Sequence, residues 1–364
     1  MPKVKLGEVA REYKATIKNN TDLPTVGLEH LTPGEIVLEK WDTNSENTFT
    51  KGFKQGHMLF GRRRAYLKKA ALAPFDGICS GDIIVIEAIP DKIDPELLPF
   101  VIQNDLLFDY AVGNSAGSLS PRVKWESLKE YEFELPELEK QNDLVQLLKA
   151  AHRVKKAYQQ QIVATDELVK SQFIEMFGTA ESPVPGVDYK RLGDVATYIN
   201  GYAFKPEDWG QTGLPIIRIQ NLTGTNEDFN YFDGAYPAKV EVNDGDVLIS
   251  WSASLGVYLW SRRKAILNQH IFKVEFDKLP IEKRFFMFAV EQKLAEMADK
   301  THGSTMKHIV KKDFDNTLIA YPSQAKQITF DEFAEQSDKS KFELKEAIVR
   351  IDNFIKSLMQ QDED

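Results

Sequence analysis

Residues 6–10 read Leu-Gly-Glu-Val-Ala, and residues 192–196 read Leu-Gly-Asp-Val-Ala. The same phrase recurs after a shift of 186 positions, and the repetition extends outward from it. Gly117-Ser118 meets Gly303-Ser304, Pro136 meets Pro322, and Lys140-Gln141 meets Lys326-Gln327. Ile162-Val163 meets Ile348-Val349, and Asp166 meets Asp352. Mid-half, the offset drifts by two or three, as loop insertions cause: Gly56 to Phe60 pairs with Gly245 to Ile249, and Ile78 to Ile86 with Ile266 to Val274. An ordered series of this kind marks an internal duplication.

Each half has the same internal order. A long region of short apolar runs comes first, broken by turn signals such as Thr32-Pro33-Gly34, Asp76-Gly77, Asn200-Gly201 and Asp244-Gly245. That predicts strands joined by loops, with some helix. A stretch without Pro or Gly follows, long enough for a helix of about 40 residues, or about 60 Å. The expected division is two mixed domains (1–136 and 187–322), two long helices (137–178 and 323–360), a linker (179–186) and an acidic tail (361–364). In the second helix Leu344, Ile348, Ile351, Ile355 and Leu358 are spaced 4, 3, 4, 3, the period of a coiled-coil seam. Tyr158, Ile162, Thr165 and Val169 repeat that register in the first. The expected fold is α+β: two similar mixed α/β domains separated by two long helices in an antiparallel coiled coil, with a pseudo-twofold repeat.

Composition narrows the class. The 364 residues carry 46 Lys and Arg against 55 Asp and Glu, a net charge of −9. The excess is uneven: residues 323–364 hold six basic against ten acidic side chains, while Arg62-Arg63-Arg64, Lys68-Lys69 and Arg262-Arg263-Lys264 form basic clusters. Whole-chain charge is therefore a poor guide to partners. No apolar run approaches a membrane span, and the N-terminus lacks a signal-peptide pattern, so no membrane partner is expected. One cysteine, Cys79, excludes an internal disulfide and suits a reducing cytoplasm.

The chain resembles the specificity (S) subunit of type I restriction–modification systems over nearly its whole length. The resemblance rests on GDVLISWSASLGVYLW…LNQHIFKV (245–274) and GSTMKHIVKKDF…YPSQAKQ (303–327). First-half counterparts are HMLFGRRRAYLKKAALAPFDGICSGDIIVI (57–86) and GSLSPRVKWESLKEYEFELPELEKQ (117–141). It implies two target-recognition domains, each followed by a spacer helix, and an asymmetric bipartite duplex target, since ICSGD stands in one half where LNQH stands in the other. It further implies a non-catalytic chain that directs adenine-N6 methylation and cleavage by two methyltransferase (M) subunits and by motor–nuclease (R) subunits. S-adenosylmethionine, ATP and Mg are then expected on those partners, with no cofactor or metal in this chain. The sequence lacks a phosphate-loop motif, an amino-methylation motif and zinc-ligand spacing. His302 and His308 lie six apart, and a structural or solvated role is favoured over a metal for both. A duplicated adaptor without DNA contact is the alternative.

Candidate DNA contacts follow from side-chain chemistry. Asn and Gln can pair with adenine and Arg with guanine, which points to Asn268, Gln269, His270 and to Arg62, Arg63 and Arg64. For the first three, satisfying buried backbone groups or positioning phosphate is favoured over base reading. Ser252 and Ser254 suit phosphate, and Trp251 suits either a sugar contact or the core. Ser304, Thr305 and Lys307 form a backbone-approach loop whose counterpart is Ser118 with Arg122 and Lys124. Lys68, Lys69, Arg262, Arg263 and Lys264 suit phosphates. Tyr202, Phe204 and Lys205 suit either surface contact or core.

Overall fold

The structure is a computed structural model that describes residues 2–17, 23–43, 48–300 and 309–359; the side chains of 299 and 300 are outside the description. The chain divides into two units, Met1–Gln160 with Leu344–Asp364, and Gln161–Glu343. Each takes one mixed domain, half of the first long helix (Leu138–Phe177) and half of the second (Gln324–Met359).

The repeated pentapeptide forms the same clasp in both units. Leu6–Val9 and Leu192–Val195 are single helical turns whose Leu and Val side chains are buried. Leu6 N–H donates to the Tyr131 carbonyl at 2.8 Å, and Leu192 N–H to that of Thr317 at 2.9 Å. The glycine lets the turn lie against the facing chain. A Cβ at Gly7 would stand 3.0 Å from Lys129 Cβ, and one at Gly193 3.2 Å from Asp315 Cβ.

The strands of the first unit are β1 (Lys3–Lys5), β2 (Ala10–Glu12), β3 (Thr25–Val26), β4 (Lys51–Phe53), β5 (Met58–Gly61), β6 (Ala70–Leu72), β7 (Gly77–Cys79), β8 (Ile83–Ala88) and β9 (Glu132–Glu134). Those of the second are β10 (Asp188–Arg191), β11 (Thr197–Asn200), β12 (Leu214–Ile217), β13 (Asn230–Phe232), β14 (Glu241–Val242), β15 (Val247–Ser250), β16 (Gly256–Leu259), β17 (Ala265–Leu267), β18 (Ile271–Glu275) and β19 (Leu318–Tyr321). Three sheets recur. Antiparallel β1-β9 matches β10-β19, and the four-stranded order β2-β8-β5-β6 matches β11-β18-β15-β16. The mixed order β3-β7-β4 matches β12-β17-β14, with a parallel pair followed by an antiparallel one in both. Strand β13 adds an edge in the second unit. The duplication read from sequence is thus a duplication of topology.

Each unit has one apolar cluster between its four-stranded sheet and its helices and another between its two larger sheets. In the first unit Leu144, Val145 and Leu148 pack with Ile355, Leu358 and Met359. In the second, Val169, Phe173 and Phe177 pack with Phe330 and Ala334, with Phe285 edge-on to Phe177 at 5.1 Å. Of the seam residues, Val169 is buried, while Tyr158, Ile162, Thr165, Leu344, Ile348, Ile351, Ile355 and Leu358 are half-buried on one helix face. Lys155 pairs with Asp352 at 2.6 Å in the first unit, and Lys341 with Asp166 at 2.6 Å in the second. Under the shift of 186, these are one ion pair made twice, and in both the two helix segments run antiparallel.

Two buried glutamines explain why Lys140-Gln141 and Lys326-Gln327 recur. Gln141 donates to the Pro136 carbonyl at 2.8 Å and accepts from Asp94 N–H at 2.7 Å. Gln327 donates to the Pro322 carbonyl at 2.9 Å and accepts from Glu282 N–H at 2.9 Å. Each thus ties the start of a long helix to its own domain.

Candidate nucleic-acid interface

In the first unit, strand β5 ends at Gly61 and the chain leaves through Arg62-Arg63-Arg64. Strand β7 ends at Cys79, and Ser80-Gly81-Asp82 carries the chain from the mixed sheet to the four-stranded one. Burial pushes the Cys79 thiol up to about 12, which keeps it unreactive. Main-chain bonds sew three segments together here. Arg62 N–H donates to the Asp82 carbonyl at 2.9 Å, Val123 N–H to that of Arg62 at 3.0 Å, and Arg64 N–H to that of Pro121 at 2.9 Å. Arg64 and Lys68 adopt left-handed backbone, φ 54° and 50°, on either side of a tight turn.

The side chains converge on Asp82. Arg122 donates Nε to Oδ1 at 2.7 Å and Nη2 to Oδ2 at 3.3 Å, and Arg63 Nη1 lies 3.6 Å from Oδ2. Arg63 Nε donates to Ser120 Oγ at 2.6 Å. The Arg122 hydrogen bond holds the Asp82 carboxyl below the usual carboxylate range and raises its own guanidinium. Arg64, Ser118 and Lys124 are exposed nearby. Lys68 pairs with Asp105 at 2.6 Å, and Lys69 donates to the Leu28 carbonyl at 2.6 Å, so both ammonium groups have internal partners.

The second unit is sewn at the same points with different side chains. Trp251 N–H donates to the His270 carbonyl at 3.3 Å, and Ile309 N–H to that of Trp251 at 3.0 Å. Asn268 N–H reaches the Ile217 carbonyl at 3.1 Å, as Ser80 N–H reaches that of Val26 at 3.0 Å. The Asn268-Gln269-His270 triplet is therefore a turn between strands of two different sheets. His270 takes φ 74° there. Gly201 is required opposite it, because a Cβ would meet the Asn268 carbonyl oxygen at 2.0 Å.

Around this turn, Trp251 stacks on Phe272 at 5.5 Å, with the His270 ring 5.1 Å away, so the indole belongs largely to the core. Beside it lies a cavity of about 200 Å³ lined by Asn200, Trp251, Phe272, Ile309, Val310 and Lys311. The Lys311 ammonium lies 5.9 Å from the Tyr198 ring centroid. Ser252 is half-buried and Ser254 exposed. Arg62 Nε, Asn268 Oδ1 and His270 Nδ1 are buried without a hydrogen-bond partner, which concentrates unspent polar capacity at the junction in both units.

The other candidates lie elsewhere. Arg262 sits over Phe229 at 5.8 Å; Arg263 sits over Tyr231 at 5.6 Å and donates to its hydroxyl at 3.0 Å; Lys264 pairs with Glu241. Phe204 is core, and Tyr202 packs against the same cluster. Ser304, Thr305 and Lys307 lie outside the described residues, as do His302 and His308. Sequence reasoning passed over Asp82, although lining up ICSGD with LNQH puts it opposite His270.

Comparison with known proteins places the repeated fold in a family. The chain is 29% identical over 138 residues to the EcoBI type I restriction enzyme specificity subunit of Escherichia coli, covering 37% of this chain and 29% of that protein. It is 26% identical over 180 residues to the EcoDI specificity subunit of the same organism, covering 46% and 39%. It thus matches well under half the length of either relative. In fold it is similar over 99% of its length to 96% of a chain from a structure addressing complex assembly and conformational transition of the type I R-M system, with TM-score 0.61 and 21% identity. The profile of the type I restriction modification DNA specificity domain matches residues 2–164 and again 186–350. With two copies that together cover most of its length, the chain belongs to that family.

Proposed function

We propose that this chain is the sequence-recognition subunit of a type I restriction–modification complex, and that it binds an asymmetric, bipartite duplex target. The observation that carries this reading is the junction sewn by the same main-chain bonds in both units but furnished differently: Arg63, Asp82 and Arg122 in one, Trp251, Asn268 and His270 in the other. A common frame with unlike side chains is what two unlike half-sites require.

The chain itself performs no chemistry. It works in the cytoplasm and directs adenine-N6 methylation by two methyltransferase subunits and cleavage by motor–nuclease subunits, which carry S-adenosylmethionine, ATP and Mg. The long helices offer each unit a similar docking face. Val349 and Phe354 in the first unit and Val163 and Leu168 in the second are counterparts under the repeat, and all four are about half exposed. Exposed apolar side chains recurring in this way support one methyltransferase subunit per unit.

Sequencing of modified adenines in a host expressing this chain with its methyltransferase subunits tests the reading. Two short, unlike motifs at a constant interval are expected. Methylation that shows no motif dependent on this chain would favour a duplicated adaptor without DNA contact instead.

A further inference from the structure

We propose that Asp82 is a positioning residue for base recognition: it clamps Arg122 so that the free end of the guanidinium reads a guanine in the first half-site. The inference rests on the DNA-recognition reading above and deepens it.

The argument is one of donor geometry. A guanidinium has five N–H donors on a rigid plane. Asp82 takes two of them along one side, from Nε at 2.7 Å and Nη2 at 3.3 Å. That fixes the plane but leaves Nη1 and the second Nη2 hydrogen at the tip, the edge that fits the O6 and N7 acceptors of guanine. The Arg122 side chain is 43% exposed, whereas the Asp82 side chain is 23% exposed and faces the arginines.

Asp82 is itself held. Its N–H donates to Ser80 Oγ at 3.2 Å, and its carbonyl accepts from Arg62 N–H at 2.9 Å. Arg63 Nη1 lies 3.6 Å from Asp82 Oδ2, with its Nε anchored on Ser120. Bidentate reading of a base edge demands a fixed guanidinium plane at one position in the groove, and the Asp82 pair supplies one. In the second unit the counterpart of Asp82 is His270, and that of Arg122 in the sequence is His308, so the clamp belongs to the first half alone.

The test is selection from a randomised duplex library by the full chain with its methyltransferase subunits, comparing wild type with Asp82→Asn, Arg122→Ala, Arg122→Lys and the double variant D82N/R122A. Expected is a G·C position in one half-site whose preference falls about ten-fold or more in each single variant, other positions holding. The double variant should be no worse there than Arg122→Ala. Loss spread evenly over all positions, or an unaltered preference in Asp82→Asn, overturns the proposal. Should Asp82→Asn fail to fold in a thermal melt, Arg122→Lys decides alone: it keeps the charge but removes the planar edge, and retention of the guanine preference overturns the clamp. If wild type selects no motif at all, the recognition reading falls first and the clamp with it.

Discussion

Asp331, in the first turns of the second long helix, shows what one misplaced charge does. Its Oδ1 is buried without a partner, and burial, aided by Glu282, raises its carboxyl from 3.8 to about 6. The folded state therefore holds a proton that the unfolded chain has already released between those values. This contribution to stability is greatest below about pH 4, falls as pH rises through the window, and is flat above pH 6. Asp331→Asn should stabilise the protein at pH 7 by about 1 kcal/mol, discounted for partial exposure, and leave it unchanged at pH 3.5; urea unfolding at the two values checks this. Gly201→Ala should act in the opposite direction, because its Cβ meets backbone oxygens that cannot rotate away. A loss of about 2 kcal/mol is expected in the same assay. At this scale the sequence revealed chemistry but not company. Arg63 and Arg122 were readable as basic loop residues; the carboxylate they share, Asp82, 40 positions from Arg122, was not.

Elements were more legible. The long helices announce themselves by the absence of Gly and Pro and by the 3.5-residue seam. The strands are two to six residues long, and those at the centre of the three- and four-stranded sheets are buried on both faces, so the alternation that betrays a half-exposed strand is missing there. That is why the crossing between sheets at residues 265–275 leaves no clear sign in the sequence. The recurrence of Gln141 and Gln327 was visible in the sequence, and its cause only in the structure. Gln141→Ala and Gln327→Ala should each cost about 2 kcal/mol, since each strands a partly or fully buried main-chain donor and acceptor and empties a buried side-chain site. Similar falls in melting temperature for the two variants would confirm equal roles. Phe330→Ala, at the centre of the second unit's aromatic cluster, should cost more, about 3–5 kcal/mol.

For the whole molecule, the proposed function makes helix length a ruler. One heptad inserted after Gln160 and another after Glu346 keeps the seam in register and adds about 10 Å to each rod. At about 3.4 Å per base pair, the interval between the two methylated motifs should grow by about three base pairs. An unchanged interval in methylation sequencing would separate the helices from site spacing. The main-chain stitching of the two junctions has an evolutionary consequence. Since peptide groups make these bonds, an exposed side chain beside them such as Arg122 can be exchanged without unpicking them. On the proposed function, new genomic addresses then lie a codon change away, and a lineage could alter what it marks as self while inheriting the same frame.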